Sequence, residues 1–277
     1  MANGEKTLNS DKFQFEGIQV NYYRDGKGPA ILMLHGSGPG ASSLGNWRPV
    51  LPGLTKSFEV YAMDLVGFGQ SDRKPTTPYF DYDLWVRQAL AMLDLIPNEK
   101  VGVIAHSLSA SIALTLAGRS PKVCAVMTPG AMGAPFQMNE GVRRTWTCPR
   151  NRNQLTAALE RLIHDTSGID EAYFQTREKV IYAPGYAEYF DSMFEGDQQK
   201  YIDAAVLSEA ILSKVTCPVL MLHGRNDGAF PPSCSEFVSG KLSNADLVLL
   251  SQCSHSVAVE RTPTFLALAH EFFNRTR

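Results

Sequence analysis

Residues Val103-Ile104-Ala105-His106-Ser107-Leu108-Ser109-Ala110 pass from one apolar stretch into another, with a serine at the junction. The run Val101–Ala105 has the continuous apolar character of a strand buried on both faces. Leu108 to Ala117 is small and apolar throughout, as a helix packed on a sheet would be. A tight strand-to-helix turn at Ser107 would lift its hydroxyl above the sheet. Such a turn needs small residues two before and two after the serine, because the two backbones pass close together. Glycine is usual at both places; here Ala105 and Ser109 keep the size without the glycine. On this stretch alone, Ser107 reads equally well as an exposed nucleophile or as the N-cap of a helix.

Outward from that turn, short β-rich runs alternate with helical patterns, which predicts an α/β fold with a mostly parallel sheet covered by helices on both faces. Phe13–Phe15 and Val20–Tyr23, joined around Glu16-Gly17, read as an opening hairpin. Ala30–Leu34, Glu59–Met63, Val101–Ala105 and Val123–Thr128 read as buried parallel strands, and Cys217–His223 and Leu247–Leu250 bring the total to eight. Asp81 to Leu95 carries Leu84, Leu90 and Leu93 at helical spacing until Pro97 stops it. From Gly133 to Ser208 no strand run occurs, and charged and aromatic residues mix at helical spacing. The expectation is a core in two parts, 1–132 and 209–277, interrupted by a helical lid at 133–208.

The composition sets bounds on function. Of 277 residues, 44% are hydrophobic and 19% charged, which excludes a disordered or fibrous chain. Lys plus Arg number 26 against 28 Asp plus Glu, a net charge of −2, and no stretch concentrates the positive charge. Nucleic acid is therefore not an expected partner. Met1 to Lys6 is polar with no apolar run behind it, and the longest apolar runs are too short to cross a bilayer. The cysteines (Cys124, Cys148, Cys217, Cys234, Cys253) are odd in number and show no C-x-x-C spacing. The expectation is a cytoplasmic protein without a structural metal or a membrane partner, acting on a small molecule; a homo-oligomer is compatible with it.

A serine hydroxyl is a weak nucleophile without a base, and the base needs an acid to orient it. Asp227 lies in His223-Gly224-Arg225-Asn226-Asp227, just past one strand run, and His255 lies in Cys253-Ser254-His255, just past the last. Taken singly, Asp227 reads as a turn residue and His255 as a surface imidazole. Jointly, the order Ser, Asp, His, each at the C-terminal end of a strand, is that of the α/β-hydrolase triad. The loop Thr128 to Gly133, where some such proteins carry the acid, has none. Of the remaining histidines, His106 adjoins Ser107 and is expected to point away from its Oγ. His223 ends a strand, His270 rides a terminal helix, and His35 and His164 also compete.

His35-Gly36-Ser37-Gly38-Pro39-Gly40-Ala41 follows the first parallel strand. Neither a Gly-Lys-Ser/Thr sequence nor a G-x-G-x-x-G pattern is present, so it is no phosphate cradle. In a hydrolase it would be the oxyanion loop, with the backbone N–H of Ser37 and that of Leu108 as donors. Asp64 to Ser71 reads as a structural loop.

His35 to Ala41, then Asn46-Trp47, then Asp64 to Ser71, resemble the meta-cleavage product hydrolases. These α/β-hydrolases cut a carbon–carbon bond in 2-hydroxy-6-oxo-hexa-2,4-dienoates from aromatic degradation, releasing a 2-hydroxypentadienoate and a carboxylic acid. The resemblance runs from Phe13 to the C-terminus and is weakest in the lid. It implies that Gly38 and Asn46 line the dienoate end and that Arg177 pairs with the substrate carboxylate. It implies no cofactor. His106 stands where the family usually has Asn, Ser109-Ala110 where it has Gly-Gly, and Ser256 where it has Trp after the histidine. By position, His106 and Ser256 are therefore also candidate substrate contacts. A carboxylesterase or lactonase on the same triad stays open, since His before the nucleophile is common among such enzymes. A receptor that binds without turnover stays open as well.

Overall fold

A computed structural model describes residues 9–276. One eight-stranded sheet runs in the order β1-β2-β4-β3-β5-β6-β7-β8. These are β1 (Asn9–Phe15), β2 (Ile18–Asp25), β3 (Ala30–Leu34), β4 (Glu59–Met63), β5 (Val101–Ala105), β6 (Val123–Pro129), β7 (Val219–Gly224) and β8 (Ala245–Leu250). β1 and β2 form the expected hairpin, β2 pairs antiparallel with β4, and every other pairing is parallel. β7 starts later than the apolar run at Cys217 suggests, because Pro218 has no N–H to give the ladder; its carbonyl still accepts from Val126.

Alternation along each strand splits the core into two layers. Leu32, Leu34, Val103 and Val126 face one side, and Ile31, Met33, Ile104 and Met127 the other. The first layer is covered by α3 (Tyr82–Leu95) and α4 (Leu108–Arg119), the second by α13 (Thr262–Arg275) through Phe265 and Phe272. Between β3 and β4 lie two short helices that the sequence reading did not anticipate, α1 (Ser43–Trp47) and α2 (Leu51–Leu54). Pro52 is tolerated in the first turn of α2, and Gly53 lets Leu266 of α13 approach to where a Cβ would come within 2.7 Å.

Between β6 and β7 the chain forms helices only: α5 (Glu140–Thr145), α6 (Arg152–Leu162), a short 3-10 turn, α7 (Glu171–Ile181), α8 (Tyr186–Met193), α9 (Gln199–Ala204) and α10 (Glu209–Leu212). Aromatic side chains pack this segment and seat it on the core: within it Trp146 stacks on Phe194 at 4.8 Å, and Tyr201 meets Phe80 of the core at 4.5 Å. After β7 come α11 (Ser233–Lys241), and after β8, α12 (Val257–Glu260). Among the described residues no helix is long and apolar enough to cross a membrane.

Candidate active site

Ser107 occupies the turn between β5 and α4 with φ 61° and ψ −124°, a conformation that an L-residue adopts at a cost of about 1–3 kcal/mol. Its side chain makes no capping hydrogen bond to α4, so the N-cap alternative fails and the hydroxyl is left for other work. The crowding that demands small neighbours is visible here. Ala105 and Ser109 are fully buried, and Ser109 Oγ donates to the His35 carbonyl at 2.5 Å. A Cβ on Gly36 would lie 3.1 Å from the Ser107 Cβ and 3.0 Å from His106 Nδ1, so the loop after β3 runs directly against the turn.

Asp227 and His255 reach this turn from the ends of β7 and β8. His255 Nδ1–H donates to Asp227 Oδ2 at 2.7 Å. That contact places the proton on Nδ1 of the neutral ring and leaves Nε2 with its lone pair, the arrangement a general base requires. The other carboxylate oxygen accepts from the N–H groups of Ala229 (3.1 Å) and Phe230 (2.8 Å). Burial by itself would raise the Asp227 carboxyl. The electrostatic effect of the adjacent His255 and the hydrogen bonds from His223 and His255 outweigh it and hold the group far below the usual carboxylate range.

His223 was read from sequence as a strand-end residue only. In the structure its Nε2 is 3.1 Å from Asp227 Oδ2 and 3.0 Å from the Phe230 carbonyl, while Nδ1 is 2.7 Å from Ser235 Oγ. A carbonyl only accepts, so Nε2 carries the proton and Nδ1 accepts from the Ser235 hydroxyl. Asp227 is thus gripped from two sides. The i, i+4 spacing of His223 and Asp227 was available in the sequence, but the chain reversal that makes it a contact was not.

Of the ten residues singled out above, eight line a single cleft of about 560 Å³ including its mouth: Ser37, Gly38, Asn46, His106, Ser107, Arg177, His255 and Ser256. The remaining two, Leu108 and Asp227, are buried. Among the described residues neither the Ser37 nor the Leu108 N–H donates to a protein acceptor, which leaves both free for an anionic oxygen. Arg177, on α7, donates from Nη1 to the Pro39 carbonyl at 3.0 Å and lies 5.5 Å over the Tyr173 ring. Its contact therefore touches the loop after β3 as well as the cleft.

His106, next to Ser107 in the chain, is fixed by hydrogen bonds at both ring nitrogens. The ring faces the cleft, 4.6 Å from His255 between centroids. Its Nε2 lies 3.1 Å from the His255 carbonyl and its Nδ1 2.6 Å from Asn46 Nδ2. Nε2 must donate to the carbonyl, so Nδ1 accepts from Asn46 and the ring is neutral with both nitrogens used. Burial first, and the neighbouring His255 second, push its pKa well below that of a free imidazole. Asp64, in the loop read as structural, is buried and accepts from Ser43 N, Asn21 Nδ2 and Gln70 N at 2.7–2.9 Å. Sequence reasoning also missed Trp146, whose Nε1–H donates to Ser37 Oγ at 3.1 Å from the end of α5.

Comparison with known proteins places this geometry in context. The alpha/beta hydrolase fold family matches residues 29–262. A 2-hydroxymuconate semialdehyde hydrolase from Pseudomonas sp. (strain CF600) is 31% identical over 257 residues, 92% of this chain and 90% of its own. A 2-hydroxy-6-oxo-2,4-heptadienoate hydrolase from Pseudomonas putida is 29% identical over 92% of this chain and 93% of its own. Among solved structures, the meta-cleavage product hydrolase CumD from Pseudomonas fluorescens IP01, in a serine-to-alanine form with acetates, superposes with a TM-score of 0.91. It is 30% identical, with 98% of this chain and 99% of that chain covered.

Proposed function

We propose, since this chain belongs to the α/β-hydrolase fold family and within it to the meta-cleavage product hydrolases, that it hydrolyses the C–C bond of a 2-hydroxy-6-oxo-2,4-dienoate ring-fission product. Ser107 is the nucleophile, His255 the general base and Asp227 the acid that orients it. The single observation that carries this reading is that Ser107 and His255 line one cleft while Asp227 holds His255 Nδ1 at 2.7 Å. The helical segment at 133–208 acts as the lid, and Arg177 from it pairs with the substrate carboxylate across from Gly38 and Asn46. His106 and Ser256 border the same end.

The chemistry follows from these positions. Ketonisation of the bound dienol puts a carbonyl at C2 conjugated to the C3–C4 double bond, so that the C5–C6 bond joins C6 to a vinylogous acceptor. His255 Nε2 takes the Ser107 proton as Oγ adds to the C6 carbonyl. The Ser37 and Leu108 N–H groups hold the resulting oxyanion, a stabilisation of about 3–4 kcal/mol per donor where such donors have been removed. Collapse breaks C5–C6, and the electron pair delocalises through C4 and C3 onto the C2 oxygen as a dienolate. The imidazolium's proton goes to the C2 oxygen of the dienolate, giving the 2-hydroxypentadienoate. Water, deprotonated by His255, then cleaves the acyl-serine to the carboxylic acid. The steps balance without an added cofactor. A reducing cytoplasm suits the five cysteines, all of them free thiols.

The test is stopped-flow absorbance of several ring-fission dienoates beside neutral aryl esters, with His255→Ala as control. Faster turnover of a dienoate than of any ester, abolished in the control, supports the reading. Turnover of esters alone would make the protein a carboxylesterase, and binding without turnover a receptor.

A further inference from the structure

The loop that carries His255 is tied to the far end of α6 by one backbone–backbone hydrogen bond and by the side chains of Ser254 and Glu260. Ser256 N–H donates to the Leu162 carbonyl at 2.9 Å, and Ser254 Oγ lies 3.2 Å from both the Arg161 and Asn226 carbonyls. One side chain serves N–H groups of both partners. Glu260, the last residue of α12, accepts from His164 N at 2.6 Å on Oε2 and from Ser254 N at 3.0 Å on Oε1 and 3.2 Å on Oε2. Cys253 Sγ also approaches Oε1 at 3.9 Å. His255 therefore sits between two residues, Ser254 and Ser256, that are both fastened to residues 161–164. Nothing in the reaction as written uses Glu260.

We infer that Glu260 is a positioning residue that clamps the end of α6 to the His255 loop, so that the seating of the helical segment sets the placement of the base. The carboxylate is suited to this because two oxygens meet two backbone donors that face each other across the junction. An amide has one oxygen, and its NH₂ would confront an N–H, so glutamine satisfies one side at the expense of the other. Half-burial raises the Glu260 carboxyl first, against the lowering effect of the N–H groups and of the His164 ring. The ionisable groups around it are His164 on the α6 side, Cys253 on the His255 loop and Arg261 next along its own chain; Arg261 itself is turned to the Ser251 carbonyl. The inference rests on His255 being the base.

The experiment compares Glu260→Gln with His164→Pro. The latter deletes the donor on the α6 side without touching the His255 loop, and Ile163 already has the extended backbone a following proline prefers (φ −135°, ψ 123°). For each, kcat and KM are measured with a dienoate, along with the second-order rate of Ser107 modification by a neutral aryl phosphonate. Dienoate Kd is measured in the Ser107→Ala background. The expected result is a fall of roughly ten- to a hundredfold in both kcat and phosphonylation, as a displaced general base produces, with KM and Kd within about twofold. The double variant should be no slower than the worse single one, since both cut the same clamp. Normal kcat in both variants, with His255→Ala inactive, overturns the inference alone. A rise in KM and Kd at unchanged kcat overturns it too, by assigning Glu260 to substrate retention. If His255→Ala still turns over, the reading of the base fails and the inference with it. Should Glu260→Gln lose cooperative melting, His164→Pro decides by the same readouts.

Discussion

Replacing Arg177 by alanine separates two jobs that the structure gives one side chain. Arg177 lines the cleft with Ser107 and His255, yet its Nη1 also donates to the Pro39 carbonyl at 3.0 Å, inside the loop that carries Ser37. A neutral carbonyl acceptor is worth about 0.5–1.5 kcal/mol net, or roughly two- to tenfold in rate if the loop's placement suffers by that amount. The carboxylate contact is larger: truncating one partner of a desolvated charge pair costs about 2–5 kcal/mol. Arg177 is only half-buried, so water screens the pair and the low end applies, about 2 kcal/mol or roughly thirtyfold. The loop share falls on every substrate; the carboxylate share falls only on a dienoate. Arg177→Ala should therefore lower kcat/KM for a ring-fission dienoate by roughly a hundredfold and for a neutral aryl ester by less than about tenfold. Arg177→Lys should restore part of the difference, because an ammonium lacks the bidentate fork. Steady-state kinetics on both substrates with each variant supplies the ratio of ratios. Equal losses on the two substrates would refute the argument and leave Arg177 as a clasp on the loop.

Ser107→Ala should lower turnover by at least about a thousandfold while dienoate binding, followed by a shift of its absorbance, is retained; normal turnover removes Ser107 from the mechanism. Asp227→Asn should cost about 10⁴-fold in kcat with the fold kept, since Oδ1 can still accept from Ala229 and Phe230. An earlier melt at unchanged kcat would make Asp227 structural. His106 bears on pH dependence. Its folded pKa is depressed, so the folded state binds fewer protons than the unfolded one below about pH 6.5. Its neutral-ring stabilisation is complete above that pH and is lost as pH falls toward the folded value, at up to about 1.4 kcal/mol per pH unit. Urea denaturation from pH 8 to 5 should show a shallower decline in His106→Asn, and an unchanged slope counts against the assignment. Gly36→Ala should slow dienoate and ester alike, because its Cβ would press on Ser107 and His106 at 3.0–3.1 Å.

Several features of this protein were legible in the chain because they are local. Short β-rich runs marked all eight strands, and the continuous apolar character of Ala30–Leu34 and Val101–Ala105 already implied a sheet covered on both faces. The small residues at Ala105 and Ser109 marked the turn at Ser107, since steric crowding between a strand and the helix after it depends on neighbours in sequence. The strand ends at His223 and Leu250 then placed Asp227 and His255, because parallel strands deliver their C-terminal loops to one edge. The tertiary structure decided what depends on residues far apart in sequence. The strand-end His223 became a second grip on Asp227 only when the chain folded back to Phe230 and α11 brought Ser235 beneath it. The His106 ring faces the cleft because Asn46, sixty residues earlier, and the His255 carbonyl, far later, use both its nitrogens. Trp146 reached Ser37, and Glu260 joined His164 to Ser254, through the docking of a helical segment whose own pattern says only that it is helical. Hydrogen-bond partners at that range follow from how the layers pack, and packing is a property of the whole chain.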